Sequence, residues 1–234
     1  MAKLDGKVSL VTGGTSGIGL AAANALAREG SHVYITGRRK RELATAVQQI
    51  GSNVTGVQGD VSNAQDLDRL FEQIRGEKGK LDILFANAGI AKYAALGNIT
   101  EELYDSIFNV NVRGVLFTVQ KALPLMPDGV SIILNASVVG SRGLSANSVY
   151  SATKASIRSF ARTWTTDLKH RRIPVNAISP GTIDTPGLTD LLASGDAGEQ
   201  RRKMVPAQSR PSGLASRRKL LGLWCFSHRM TVAT

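Results

Sequence analysis

The chain has 234 residues, 42% of them hydrophobic, and a formal net charge of +11. That length and apolar content allow one domain with a substantial core. Nothing near the polar start resembles a secretory leader, and no apolar run reaches the ~18 residues that a membrane helix needs. A single cysteine excludes a disulfide framework and a Cys-rich zinc site. We therefore expect a cytoplasmic protein without a metal site.

The positive charge is concentrated at the carboxyl end of the chain. Residues 200–234 contain eight Lys or Arg and no Asp or Glu, which leaves a net charge of +3 for residues 1–199. The basic segment lacks a nucleic-acid-binding motif and the interleaved aromatic residues that stack on bases. We expect no nucleic-acid partner and no membrane partner.

Short apolar runs alternate with helical patterns along residues 1–180. The candidate strands are KVSLVT, HVYITG, NVTGVQGD, LDILFANAG, GVSIILNAS and IPVNAIS, and the helical patterns lie near 17–29, 40–50, 64–78, 101–124 and 148–170. Strands that are apolar throughout and are separated by helices indicate a parallel sheet covered on both faces. The sequence therefore predicts a single doubly wound α/β domain that binds ligands at the carboxyl ends of its strands.

A glycine-rich turn follows the first strand. The segment TGGTSGIG places glycines at 13, 17 and 19, directly before a helical pattern. Backbone N–H groups and the helix dipole at such a turn favour a pyrophosphate. The spacing Gly-x-x-x-Gly-x-Gly differs from the commoner Gly-x-Gly-x-x-Gly, and a plain tight turn is the alternative.

The second strand ends in ITGRR, with Gly37 followed by Arg38 and Arg39. A carboxylate at the strand end would bind the ribose hydroxyls of NAD and repel a 2′-phosphate. A guanidinium favours a phosphate, so the sequence favours NADP(H). A solvated charge run at a helix start is the alternative.

The segment YSATK places Tyr150 and Lys154 on one face of a helix. An unperturbed tyrosine, with a pKa of about 10, is a poor proton donor and acceptor near neutrality. A neighbouring ammonium stabilises the phenolate and lowers that pKa. Ser137 ends a buried strand thirteen residues before Tyr150, at the sheet edge where ligands bind.

These motifs together resemble the short-chain dehydrogenase/reductase family, in its classical branch. The resemblance spans residues 7 to about 186 in the order and spacing of the family. The matching segments are TGGTSGIG, GD followed by Val61, NAG at 87–89, NVNVRG at 109–114, Ser137, YSATK and PGTIDT at 180–185.

The resemblance implies four catalytic residues. Tyr150 would be the general acid/base, and Lys154 would lower its pKa and hold the nicotinamide ribose. Ser137 would hydrogen-bond the substrate carbonyl oxygen, an oxyanion-type contribution. Asn111 would support a water-linked proton relay to the lysine, with a helix-packing role as the alternative.

The resemblance also implies a set of cofactor contacts for NADP, with NADPH preferred and NAD possible. They are Gly13, Thr15, Ser16, Gly17, Ile18 and Gly19 at the pyrophosphate; Arg38; Asp60 and Val61 at the adenine; Asn87, Gly89, Tyr150 and Lys154 at the ribose; and Pro180, Gly181, Ile183 and Thr185 at the carboxamide and phosphates. For Asp60 and Asn87, the alternative is that they are plain turn residues.

The substrate and the assembly are less closely defined. Loops 138–147 and 91–98 and the segment after Pro186 would line the substrate site, and they contain few charges. A small-molecule ketone, secondary alcohol or 3-oxoacyl group would fit. We expect a homo-oligomer, a dimer through the helices near 101–124 and 148–170, whereas a tetramer is not favoured.

The family pattern stops near residue 206, which divides the chain into a catalytic domain over 1–206 and a basic tail over 207–234. Read from the third base of each codon, from Ser216 onward, the tail permits PEEIAGAVVFLASDDSSY, the text expected of the family. We hypothesise a frameshift between about Val205 and Ser212. The sheet would then have six strands, in the order 3-2-1-4-5-6, without the family's last strand. The alternative function is a catalytically impaired, NADP-binding remnant.

Sequencing the coding DNA tests this hypothesis directly. The displaced frame should encode the family text across Arg217 to Thr234. A displaced frame that contains stop codons or unrelated text would contradict it.

Overall fold

A six-stranded parallel sheet organises the computed structural model, which describes residues 2–183. The strands are β1 (Val8–Val11), β2 (His32–Gly37), β3 (Val54–Gln58), β4 (Ile83–Ala86), β5 (Ser131–Asn135) and β6 (Val175–Ile178). Their order is β3-β2-β1-β4-β5-β6, which confirms the predicted topology. The register pairs Leu10 of β1 with Tyr34 on one side and Leu84 on the other.

Helices cover both faces of the sheet. They are α1 (Gly17–Arg28), α2 (Lys40–Ile50), α3 (Ala64–Lys78), α4 (Glu101–Phe108), α5 (Gly114–Ala122) and α6 (Ser148–Asp167). Apolar residues of α1 and α2 pack with Val11 on one face, whereas those of α3, α5 and α6 pack with Leu10 on the other. Adjacent residues of a central strand thus enter different cores, which explains why the strands are apolar throughout.

Capping residues set the beginnings of two helices. The side chain of Asn63 accepts hydrogen bonds from the backbone N–H groups of Gln65 and Asp66, and α3 begins at the next residue. Thr100 likewise accepts from the N–H of Leu103 at the start of α4. Such side chains pair N–H groups that the helix itself leaves free.

The helical pattern near 101–124 does not form one uniform helix. A π-helical turn over Asn109–Arg113 separates α4 from α5, and a short 3₁₀ turn over Leu123–Leu125 follows. The hydrophobic period does not reveal such a turn, because the chain remains helical through it. The π turn contains Asn111, which is only 1% exposed.

The strand order reverses between β1 and β4, so the loops at their carboxyl ends diverge to opposite faces. In open α/β sheets this is the place where ligands bind. No helix within residues 2–183 is long and apolar enough to cross a membrane. The predicted boundary at residue 206, the missing last strand and the basic tail lie outside the described residues.

Candidate active site

The glycine turn after β1 approaches the loop after β4 so closely that side chains are excluded. A Cβ on Gly19 would lie 2.2 Å from the carbonyl oxygen of Gly13 and 2.5 Å from Nδ2 of Asn87. A Cβ on Gly13 would lie 2.9 Å from Cα of Ala88, and Gly13 has a φ of +64°. The turn therefore presents backbone rather than side chains to a ligand.

Helix α1 begins at this turn. Ser16 is its N-cap residue, yet its side chain makes no capping hydrogen bond, and the first turn carries no acidic residue. Gly17, with a φ of +55°, begins the helix, and Thr15 and Ile18 are half-buried beside it. A helix start with these properties suits an anion such as a pyrophosphate.

Arg38 follows β2 and Asp60 lies just after β3, and their side chains approach each other. Nη1 of Arg38 lies 3.5 Å from Oδ2 of Asp60, and the Arg38 side chain is 61% exposed. Burial raises the pKa of Asp60, but the hydrogen bonds from Ser62 and the Arg38 charge outweigh it and hold that pKa below its ordinary value. A small pocket lies here, lined in part by Asp60 and Val61.

Gly37 lies close to the side chain of Thr15 in the glycine turn. A Cβ at this position would lie 2.4 Å from Cγ2 of Thr15. A side chain at residue 37 would therefore require Thr15 to shift, and this chain has no carboxylate there of the kind that selects NAD. The exposed guanidinium of Arg38 is the adjacent charged group.

Asn87 joins the ends of β1 and β4. Its Nδ2 donates to the carbonyl oxygens of Thr12 at 2.9 Å and Gly13 at 3.2 Å. The backbone N–H groups of Asn87 and Ala88 both donate to Oγ1 of Thr12 at 3.0 Å. Four hydrogen bonds thus hold the glycine turn against the loop after β4.

Asn111 holds the next part of that loop. Its Oδ1 accepts from the N–H of Ile90 at 2.8 Å, and its Nδ2 donates to the carbonyl oxygen of Ile90 at 2.8 Å. Nδ2 also donates to Oγ1 of Thr153 on α6, at 3.2 Å. A Cβ on Gly89 would lie 3.2 Å from Oδ1 of Asn111 and 3.6 Å from Nζ of Lys154, so this loop, the π turn and α6 meet here.

Lys154 is buried beside Tyr150. Its Nζ lies 5.6 Å from the centre of the Tyr150 ring and donates to the carbonyl oxygen of Asn135 at 2.7 Å. The residue is 5% exposed, and burial lowers its pKa from 10.5 to about 8. The ammonium therefore still predominates near neutrality and can stabilise a phenolate.

Ser137 follows β5 and is held only loosely. Its Oγ donates to the carbonyl oxygen of Pro180 and accepts from the N–H of Val139, both at 3.4 Å. These distances exceed those of strong hydrogen bonds, so the hydroxyl is available to a substrate oxygen. Gly181 is exposed after Pro180, and Ile183 is buried.

The loops after β4 and β5 meet next to Tyr150. The rings of Tyr93 and Tyr150 meet edge to face with centres 6.1 Å apart. The N–H of Ala94 donates to the carbonyl oxygen of Ala146 at 3.1 Å and joins the loops after β4 and β5. Leu96 and Leu144 lie on these loops and are 88% and 48% exposed.

Three further residues belong to this network and were not singled out in the sequence: Thr12, Asn135 and Thr153. Thr12 and Asn135 are polar residues at the carboxyl ends of apolar strands, like Asn87. That shared position at one sheet edge is a signal that could have identified them. Thr153 donates to the carbonyl oxygen of Tyr150 at 2.7 Å, and only the folded structure reveals its role.

The structure thus gathers the predicted residues along one edge of the sheet, from the glycine turn to Ile183. Thr185 lies outside the described residues. Within residues 2–183, no three His, Cys, Asp or Glu side chains are grouped so that they could hold a metal ion.

Comparison with known proteins gives a consistent family. The family model described as short chain dehydrogenase matches residues 7–194. Oxidoreductase asL5 of Sarocladium schorii is 44% identical over 209 residues, which cover 88% of this chain and 82% of that protein.

Two solved structures share the fold. The L-sorbose reductase of Gluconobacter frateurii, solved with NADPH and L-sorbose, is 28% identical with a TM-score of 0.86, covering 97% of this chain and 91% of its own. The 3-ketoacyl-(acyl-carrier-protein) reductase of Brucella melitensis, solved with NADH, is 30% identical with a TM-score of 0.83, covering 95% and 90%.

The close approach at Gly19 predicts the effect of adding one methyl group. Gly19→Ala should lower the free energy of unfolding by about 1–3 kcal/mol, because the new Cβ overlaps the Gly13 carbonyl. It should also weaken NADPH binding about tenfold or more, as measured by calorimetric titration.

Gly76→Ala is the matched control for this change. Gly76 lies in α3, and a Cβ there meets nothing within 4 Å. This variant should gain about 0.5–1 kcal/mol of stability with unchanged NADPH binding. Equal NADPH affinity of Gly19→Ala and the native chain would contradict the assignment of the glycine turn as the pyrophosphate-binding site.

Proposed function

Since the chain belongs to the short-chain dehydrogenase/reductase family, we propose that it transfers a hydride between NADP(H) and a carbonyl or secondary alcohol. The observation that carries the proposal is the buried Lys154 ammonium, which lies beside Tyr150 and donates to the carbonyl oxygen of Asn135 at the carboxyl end of β5. The catalytic residues of the proposal are Asn111, Ser137, Tyr150 and Lys154.

The residues at the sheet edge fit a dinucleotide. Backbone at Gly13 and Gly19 and the uncapped start of α1 suit the pyrophosphate. The pocket beside Asp60 and Val61 suits the adenine. Arg38, which follows Gly37 where an NAD-binding chain would have a carboxylate, favours a 2′-phosphate and hence NADPH. One solved relative was crystallised with NADH, so NAD(H) is the alternative cofactor under this proposal.

The chain's own residues supply the acid/base chemistry. Bound NADPH supplies the hydride to the carbonyl carbon. Tyr150 donates its hydroxyl proton to the carbonyl oxygen as charge develops there, and Lys154 stabilises the resulting phenolate. Ser137 donates a hydrogen bond to the same oxygen. Asn111 keeps the loop at Ile90 in place beside the lysine.

The loops beside Tyr150 favour an apolar carbonyl compound. Tyr93 contacts the Tyr150 ring, Leu96 and Leu144 are exposed on the loops after β4 and β5, and the Ala94–Ala146 hydrogen bond joins these two loops. An apolar ketone or a 3-oxoacyl group buries this surface, whereas a highly charged substrate does not. The 3-ketoacyl reductase among the solved relatives is in keeping with this choice.

The assembly under this proposal is a homodimer through α4–α5 and α6. Supporting it, these helices carry two stacked aromatic pairs, Tyr104 with Phe108 and Phe160 with Trp164. Aromatic residues are enriched at protein interfaces. The alternative of an impaired remnant is disfavoured by a site whose parts are assembled through Ile183.

Removing the Tyr150 hydroxyl tests the proposed acid/base. Tyr150→Phe should lower kcat for reduction about 10²–10⁴-fold while NADPH binding is retained, because only the proton donor is lost. Tyr104→Phe, at an exposed tyrosine on α4, is the control and should keep full activity. Steady-state NADPH oxidation measures both, and equal turnover of Tyr150→Phe and the native chain would exclude the role.

The pH dependence of kcat/KM of the native chain tests the proposed role of Lys154. Lys154 is an ammonium below its pKa of about 8 and loses its proton as the pH rises through that value. The phenolate then loses its stabilising charge, so kcat/KM for reduction should fall above about pH 8. A rate that rises through this range would contradict the assignment.

Arg38 should determine cofactor choice. Arg38→Ala should lower kcat/KM for NADPH about 10–100-fold, the effect of losing a charge-assisted hydrogen bond, with NADH use unchanged. Arg39→Ala is the control, because it removes a neighbouring guanidinium whose Nε pairs with Glu42 at 2.9 Å at the start of α2. Equal losses with both cofactors would contradict the 2′-phosphate contact.

A further inference from the structure

Asn135, the last residue of β5, contacts both halves of the proposed site. Its backbone carbonyl accepts from Nζ of Lys154 at 2.7 Å. Its side-chain Nδ2 donates to Oδ1 of Asn87 at 2.9 Å. One residue thus touches the catalytic lysine through its backbone and the loop after β4 through its side chain.

The orientation of the Asn135 amide follows from Asn87. Both hydrogens of the Asn87 amide are used, on the carbonyl oxygens of Thr12 and Gly13, so its Oδ1 requires a donor. Asn135 supplies that donor, and its own Oδ1 is then left buried without a partner among residues 2–183. An unpaired buried acceptor is destabilising, so the fold retains the bridge at a cost to its stability.

The bridge continues to the glycine turn. The chain of contacts runs from Lys154 to Asn135, from Asn135 to Asn87, and from Asn87 to Gly13. It crosses the carboxyl ends of β5, β4 and β1. Without the donor from Asn135, Oδ1 of Asn87 loses its partner, and the Asn87 side chain is held beneath the Gly13 carbonyl only by its two Nδ2 hydrogen bonds.

We propose that Asn135 is a positioning residue that orients Asn87 and, through it, the turn that receives the pyrophosphate of the cofactor. This inference rests on the proposed function and deepens it. The backbone contact to Lys154 does not depend on the Asn135 side chain. A side-chain change should therefore affect cofactor affinity more than the chemical step.

A double-mutant cycle measured by calorimetric titration with NADPH tests the proposal. Asn135→Ala should raise the Kd for NADPH about 3- to 10-fold, the effect of one buried hydrogen bond, and should raise KM for NADPH more than it lowers kcat. Asn87→Ala should raise the Kd further. Adding Asn135→Ala to Asn87→Ala should then change nothing, because the residue it orients is gone.

Two further variants separate positioning from simple loss of stability. Thr165→Val removes a hydroxyl that bridges the N–H and carbonyl of Val175, away from the site, and should lower Tm without changing the Kd. Asn135→Asp keeps the side-chain size and loses the donor. Its weakened NADPH binding, relative to the native chain, should recover as the pH falls, because a protonated carboxyl donates again.

The outcomes are distinguishable. An unchanged Kd for Asn135→Ala, or additive effects in the double variant, would overturn the positioning role while NADPH binding by the native chain sustains the proposed function. A native chain that binds no NADPH would overturn both.

Discussion

The contact between Asn87 and the glycine turn is the constraint on which the site depends. The Asn87 amide occupies the space where a Cβ of Gly13 or Gly19 would lie and holds the Gly13 carbonyl from the side. The glycine turn is therefore fixed in place without side chains, and its backbone N–H groups and the start of α1 form the binding surface. A pyrophosphate is the ligand that such a surface suits.

At the other end of the site, the burial of Lys154 lowers the stability of the fold. Burial disfavours its ammonium and lowers its pKa to about 8, and the fold offers it one carbonyl oxygen, that of Asn135, in place of water. A lysine kept under these conditions is poised to share charge with Tyr150. Burial of a charged group at a cost in stability is usual at active sites.

Much of the fold was predictable from the sequence, because long apolar strands and their helices obey simple periodic rules. The six strands and their order are as predicted, and so is the glycine turn before α1. The proposed catalytic residues rest on the family resemblance, since Tyr150 and Lys154 alone are a common pair on helices.

Other features depend on tertiary contacts and were not predictable. The π turn that buries Asn111 keeps a helical pattern in the sequence, so the periodicity of 101–124 concealed it. Asn135 resembles an ordinary strand-end residue until its amide is seen against Asn87. Arg38 was predicted as a phosphate partner, and its proximity to Asp60 required the ends of β2 and β3 to be placed together.

The most direct measurement of the central claim is calorimetric titration of the full chain with NADPH, combined with an NADPH-consumption screen over apolar ketones and 3-oxoacyl thioesters. The assembled site predicts that NADPH binds and that at least one of these carbonyl compounds is reduced. NADPH binding without turnover of any of them would contradict this account and would support a nucleotide-binding remnant.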